Sequence, residues 1–165
     1  MFNLKPIPLD KYRDFAMEKF EQAGKHLGDG VVERLYERFE GITSYMQKIM
    51  NYMYQITQKT ETCTLPMIDE AINYILDISS DTYEGMLYQM PEKQRNVLLA
   101  IASDKEAGGI SGGNFAKRHH LPSPSAVVSA VRGLLEKDFI THEKNVYRVY
   151  DQFFQLWLER EMQNR

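Results

Sequence analysis

Long apolar runs are missing from this 165-residue chain. No stretch approaches the roughly 18 consecutive apolar residues that a membrane-spanning helix needs. The start, "MFNLKPIPLDKYRDF", lacks the apolar segment of a secretory leader, so a cytoplasmic protein with no membrane partner is expected. Cysteine is nearly absent. The single Cys63 excludes an internal disulfide and a cysteine-cluster zinc site, fits a reducing compartment, and reads as a small buried hydrophobe. Net charge is also scarce, at −3, which gives no global sign of nucleic-acid binding.

Catalytic signatures are lacking as well. There is no G-x-S-x-G, no H-E-x-x-H and no Cys/His arrangement for nucleophilic catalysis. Gly108, Gly109, Gly112 and Gly113 cluster, but Asn114 and Phe115 follow them. A phosphate loop needs Lys and Ser/Thr there, to meet phosphate and Mg²⁺. His119 and His120 are adjacent, so on a helix they diverge by roughly 100° and are badly placed to clasp one metal. Glu33, Glu37, Glu40, Asp69 and Glu70 read as solvated helix faces beside Arg34 and Arg38 rather than acid/base pairs. The expectation is a protein that is not an enzyme and holds no cofactor or metal of its own.

What is present is a core-forming composition, 43% hydrophobic and 12% aromatic, enough for one domain or two small ones. Asp10 is expected to cap a helix carrying Phe15, Phe20 and Leu27, closing near Gly28–Gly30. "VVERLYERFEG" predicts a second helix, with Val32, Leu35, Tyr36 and Phe39 inward and Gly41 as its stop. "TSYMQKIMNYMYQITQK" predicts a third, capped at Thr43/Ser44, with Tyr45, Ile49, Tyr52/Met53 and Ile56 on one face. A long helical stretch, "MIDEAINYILDISSDTYEGMLYQM", follows, with Ser79–Asp81 and Gly85 as places where it bends or breaks.

From Pro91 the pattern changes. "PEKQRNVLLAIASD" has Pro at the first helical turn and an apolar face of Val97, Leu98, Ile101 and Ala102. "GGISGGNFAKRHH" gives a loop, a cap between Ser111 and Asn114, and a short helix. Pro122 and Pro124 then force a turn, and Ser123 or Ser125 can cap the next helix. In that helix Val127, Val131 and Leu134, joined by Val128, Ala130 and Leu135, form the face to be buried. Ser125, Ser129, Arg132 and Glu136 share the other face, which is slim and hydroxyl-bearing. "FITHEKNVYRVYD" reads as a hairpin around Glu143–Asn145, and "QFFQLWLEREMQNR" as a last amphipathic helix. Three helices followed by a hairpin is the order of a winged helix, so the fold class is mainly α: a helical bundle, then a winged helix-turn-helix domain with a small β-hairpin.

The charges are unevenly shared. Met1–Met90 carries 9 Lys+Arg against 14 Asp+Glu, and Pro91–Arg165 carries 11 against 9, so the second half is mildly basic. The candidate DNA-facing residues are Ser123, Ser125, Ser129 and Arg132 toward bases or phosphates. Lys117, Arg118, His119, Lys144 and Arg148 are the candidates for the backbone. For "KRHH", a solvated basic helix end is an equally good reading.

As a set, "IPLDKYRDFAMEKFEQAGKHL", "VVERLYERFEGITSYMQKIMNYMY", "MPEKQRNVLLAIA", "LPSPSAVVSAVRGLLEKDFIT" and "YRVYDQFFQLWL" resemble the C-terminal region of prokaryotic AAA/STAND-type P-loop ATPases of the archaeal ATPase group, over nearly the whole chain. The resemblance implies a helical lid over 1–90 and a winged-helix domain over 91–165. It also implies a Gly-x-x-x-Tyr-x-Gln lid element at Gly41, Tyr45 and Gln47. The Walker motifs are missing, so ATP and Mg²⁺ are expected only for an upstream ATPase core, with Met1 standing just past it. Ile42–Ser44 supply no Pro to meet an adenine, a departure that speaks against nucleotide contact by this lid. Three functions are expected: a module whose winged helix binds double-stranded DNA weakly; the same surface used for a protein partner or to restrain the ATPase; or a free-standing transcription regulator.

Overall fold

The computed structural model describes residues 5–165; residues 1–4, Met1 among them, lie outside it. The described residues hold eight helices and two two-stranded sheets, and the chain divides into two compact units, Met1–Asp77 and Ile78–Arg165.

The first unit begins with α1 (Leu9–Gln22), β1 (His26–Leu27), α2 (Val31–Arg38), α3 (Thr43–Ile56) and β2 (Thr62–Cys63). Tyr12, Ala16 and Phe20 form the buried stripe of α1. Phe15 is 57% exposed instead of inward, with the Lys19 ammonium 5.7 Å from its ring centre. Pro8, not Asp10, occupies the N-cap, and Asp10 lies in the first turn, where its charge suits the helix dipole. Leu27 belongs to β1, whose parallel pairing His26↔Thr62 and Leu27↔Cys63 was not anticipated. The approach is close: the Gly28 N–H donates to the Cys63 carbonyl at 2.8 Å, and a Cβ on Gly28 would stand 2.5 Å from that oxygen. Only glycine fits there.

In α2, Val31, Val32 and Leu35 are buried, as is Phe39 just past its end, while Tyr36 is only half-buried. In α3 the inward residues are Met46, Ile49, Met50 and Met53. Tyr45, Tyr52 and Ile56 sit at the edges, so the unbranched methionines fill the space assigned to the tyrosines. Ile42 is the N-cap of α3, and neither Thr43 nor Ser44 caps it. Cys63 is fully buried, its sulfur 3.9 Å from Met53 Sδ, and burial pushes its thiol pKa up.

The next helix, α4 (Pro66–Gln89), is continuous through Ser79–Asp81 and Gly85, where a bend or break was expected. The intrinsic helix penalties of Ser, Asp and Gly are below about 1 kcal/mol each, and burial of Tyr83 and Leu87 outweighs them. The division between the compact units falls inside α4, at Asp77/Ile78.

The second unit comprises the end of α4 with α5 (Glu92–Asp104), α6 (Gly113–Arg118), α7 (Pro124–Glu136), β3 (Ile140–Glu143), β4 (Val146–Val149) and α8 (Gln152–Gln163). Val97, Leu98, Ile101 and Ala102 of α5 and Val127, Ala130, Val131 and Leu134 of α7 are buried in the core where the two helices pack together. Phe115, Ile140, Val149, Phe153, Phe154 and Trp157 close it. The Trp157 indole N–H donates to Ser80 Oγ at 3.0 Å, and Tyr83 packs on Phe154 and Trp157 with ring centres 5.0 and 5.6 Å away. This is why the last turns of α4 belong to this unit. Asp151 caps α8, accepting from the backbone N–H groups of Phe153 and Phe154. Gly112 is the N-cap of α6, which has no side-chain cap. The result is three helices and an antiparallel hairpin: a mainly helical chain carrying a winged helix.

Candidate nucleic-acid interface

The helix-turn-helix is built by α6, the turn through Pro122 and α7. Ser123 is the N-cap of α7, its Oγ accepting from the Ala126 N–H at 3.2 Å, with Pro124 fixing the first turn. Ser123 Oγ also lies 3.1 Å from Ser125 Oγ. Its hydroxyl is thereby occupied within the helix start rather than presented outward. Ser125, Ser129, Arg132 and Glu136 are exposed together, as their spacing predicts. Val128 joins them: it is 38% exposed, not buried as expected, because the α5 contact is satisfied by Val127, Val131 and Leu134. Leu135 is half-buried. The outward face of α7 is therefore two hydroxyls, one isopropyl group, one guanidinium and one carboxylate.

The cations around it differ in availability. Arg118 makes a two-pronged bond to Asp104, 2.8 and 2.9 Å, and His119 Nε2 lies 3.0 Å from Asp104 Oδ1. His119 also packs against Phe115, with ring centres 4.8 Å apart, and only 15% of its side chain is exposed. Arg148 is paired with Glu106. Thus one carboxylate pins the end of α6 to the end of α5, and another ties β4 to the residues that precede Ala107, whose backbone pairs with Tyr147. Lys117, Arg132 and Lys144 are exposed and have no ion pair among the described residues. Asp104 and Glu106 were not anticipated as partners, since nothing in their local spacing points to residues so far along the chain.

Lys144 sits at the hairpin turn with Asn145, both at positive φ (50° and 64°), which is the two-residue turn that matches strand twist. The register pairs Ile140↔Val149, Thr141↔Arg148, His142↔Tyr147 and Glu143↔Val146. A shallow cleft of about 440 Å³ opens beside Asn96, Ser103, His119, His120 and Met162. No group of three or more metal-ligating side chains occurs among the described residues. None of their helices is long and apolar enough to cross a membrane.

The lid element lies in the other unit. Gly41 has φ +69°, and a Cβ there would come within 2.8 Å of Tyr36 Cζ and 2.9 Å of Pro6 Cβ. Tyr45 packs on Phe39, ring centres 5.8 Å apart, and Gln47 is exposed. Gly41 and Tyr45 are thus engaged in local packing.

A family model described as "Probable winged helix domain" matches residues 81–160. Among solved structures, the Walker-type ATPase PABY2304 of Pyrococcus abyssi is similar over 94% of this chain, with a TM-score of 0.68 and 15% sequence identity. The chain spans 43% of that protein's length, so the likeness is one of fold with a part of an ATPase. No curated protein sequence matches.

Proposed function

We propose that this chain is a non-catalytic module that works with a Walker-type ATPase core, and that its winged helix binds double-stranded DNA weakly through α7. The observation that carries the reading is the exposed row Ser125, Ser129 and Arg132 on a helix whose other side is wholly committed to the core. Slim hydroxyl side chains let a helix approach a groove closely, and Arg132 can pair with a guanine edge or a phosphate. Lys117 and Lys144 supply backbone contacts on either side in the chain. ATP and Mg²⁺ belong to the core, not to Gly41, Tyr45 and Gln47, two of which are occupied by packing.

Fluorescence anisotropy with a random duplex at low salt tests this. Micromolar-class binding that Arg132→Ala weakens by about 5-fold or more is expected, one charge-assisted contact being worth roughly 1–3 kcal/mol. Unchanged anisotropy at high micromolar protein refutes it.

A second reading, a protein-docking surface that recruits a partner or restrains the ATPase, is favoured by the exposed Val128 and by the carboxylates that hold Arg118 and Arg148. An apolar residue amid small polar ones suits a protein interface. If it is correct, Val128→Asp abolishes binding of the isolated ATPase core, while no duplex binds at any salt.

A further inference from the structure

The wing carries a feature that groove binding by α7 does not use. His142 of β3 and Tyr147 of β4 are directly opposed, and their rings lie parallel, 4.1 Å between centres and 1° between planes. The pair shares a sheet face with Ile140 and Val149, which are buried. Toward the tip the core ends, and His142 is exposed.

Tyr147 is held on both sides: its backbone exchanges hydrogen bonds with Ala107 at 2.8 and 2.9 Å, and its ring is covered by the imidazole. The turn at Lys144–Asn145 is the shortest a hairpin allows, so the His142 ring is set in place before any ligand arrives. Lys144, two residues on from His142, brings a cation to the same end of the hairpin. Glu143 points from the opposite sheet face, by the alternation of the strand.

A cross-strand ring stack by itself stiffens a hairpin. With His142 exposed and a lysine at hand, it also has what unpaired nucleic acid seeks: a π-surface for the base and a cation for its phosphate. We propose that the wing holds a base-stacking site. The outer face of His142, laid on Tyr147, takes one unpaired nucleobase, and Lys144 takes the adjoining phosphate. This deepens the nucleic-acid reading of the module by naming the substrate as duplex with a single-stranded end.

The test compares a blunt duplex with the same duplex bearing a short overhang that contains 2-aminopurine. The wild-type chain is expected to bind the overhang duplex about 5-fold or more tighter than the blunt one, and to quench the 2-aminopurine by stacking. His142→Ala removes the preference and the quenching while leaving blunt-duplex affinity unchanged and the second unit folded, as Trp157 fluorescence checks; His142→Phe, which keeps a ring, restores both. Equal affinity for the two duplexes in the wild type, or a preference that survives in His142→Ala, overturns the stacking site and leaves the α7 reading standing. Quenching of a single-stranded oligonucleotide that depends on His142, with no blunt-duplex binding, upholds the stacking site and removes the α7 reading. No binding to any of the three probes overturns both.

Discussion

For the duplex binding proposed above, the salt dependence follows from which cations the fold has already used. Lys117, Arg132 and Lys144 are exposed without an ion pair among the described residues, whereas Arg118 and Arg148 are held by Asp104 and Glu106. Each phosphate neutralised contributes about −0.9 to the slope of log K against log[salt], so three contacts give roughly −2.7, a loss of about 40-fold between 50 and 200 mM. Were Arg118 and Arg148 also in contact, the slope would approach −4.5 and the loss about 500-fold. Asp104→Asn frees Arg118 for phosphate. It steepens the slope toward about −3.6, which is about 150-fold over the same range. It also lowers stability by about 1 kcal/mol, since a partly exposed ion pair is being traded for a neutral hydrogen bond. The assay is anisotropy at four or five salt concentrations, with thermal unfolding of the variant as control. A wild-type slope near −4.5 refutes the claim that the carboxylates keep their cations, and a slope near zero refutes a phosphate-contacting face.

The remaining predictions concern the two units separately. Burial pushes the Tyr12 phenol up to about 12 from its ordinary 10. Stability from keeping it neutral is complete below pH 10 and lost as the pH rises toward 12, when only the unfolded chain ionises freely; at pH 11, urea unfolding followed by circular dichroism should find Tyr12→Phe more stable than wild type by about 1 kcal/mol, and no such gain at pH 7. Glu33 is held below its ordinary 4.5, first by the hydrogen bond from Arg13, 2.8 Å away. Glu33→Gln therefore costs at most about 1 kcal/mol above pH 5, and the difference from wild type fades as the pH falls through the lowered value, as unfolding midpoints at pH 3 and 7 would reveal. Ser123→Ala removes the cap of α7 and lowers stability by about 1 kcal/mol, read from Trp157 fluorescence, which reports on the second unit because it is the only tryptophan. Trp157→Ala opens a cavity between α8 and the end of α4 and orphans Ser80 Oγ. A loss of about 3–5 kcal/mol, followed by circular dichroism, is expected.

The winged helix was legible in the sequence because its determinants are local. Pro122 and Pro124 fix a turn, Val127, Val131 and Leu134 mark one face of a helix, and the Ile, Thr, Val and Tyr runs around Glu143–Asn145 mark a hairpin. Periodicity says which face a residue shares, but not how wide the neighbouring element is. Val128 and Phe15 lie at the margins of apolar stripes, and α5 and α2 are too narrow to reach them, so both are exposed. Two-residue strands such as β1 and β2 contain no period at all, and they form only because Gly28 lets two backbones meet. The continuity of α4 is a tertiary effect of the same kind, since Ser80 gains an indole partner 77 positions away.

The candidate interface was legible in residue type and not in availability. Arg118 and Asp104 are 14 positions apart, and Arg148 and Glu106 are 42 apart, so of the five candidates for the backbone that the sequence offers, two, Lys117 and Lys144, have no carboxylate partner among the described residues. The two carboxylates have a single physical consequence with two sides. By binding Arg118, His119 and Arg148 they fasten α6 and β4 to the segment around the end of α5, which fixes the pose of α7 and of the wing. By the same contacts they remove the charge that would make this surface grip any duplex. In the proposed reading, discrimination rests on what remains exposed, the hydroxyl row of α7 and the His142 ring, and the bonds that hold α6 and β4 in place are the ones expected to keep non-specific binding weak.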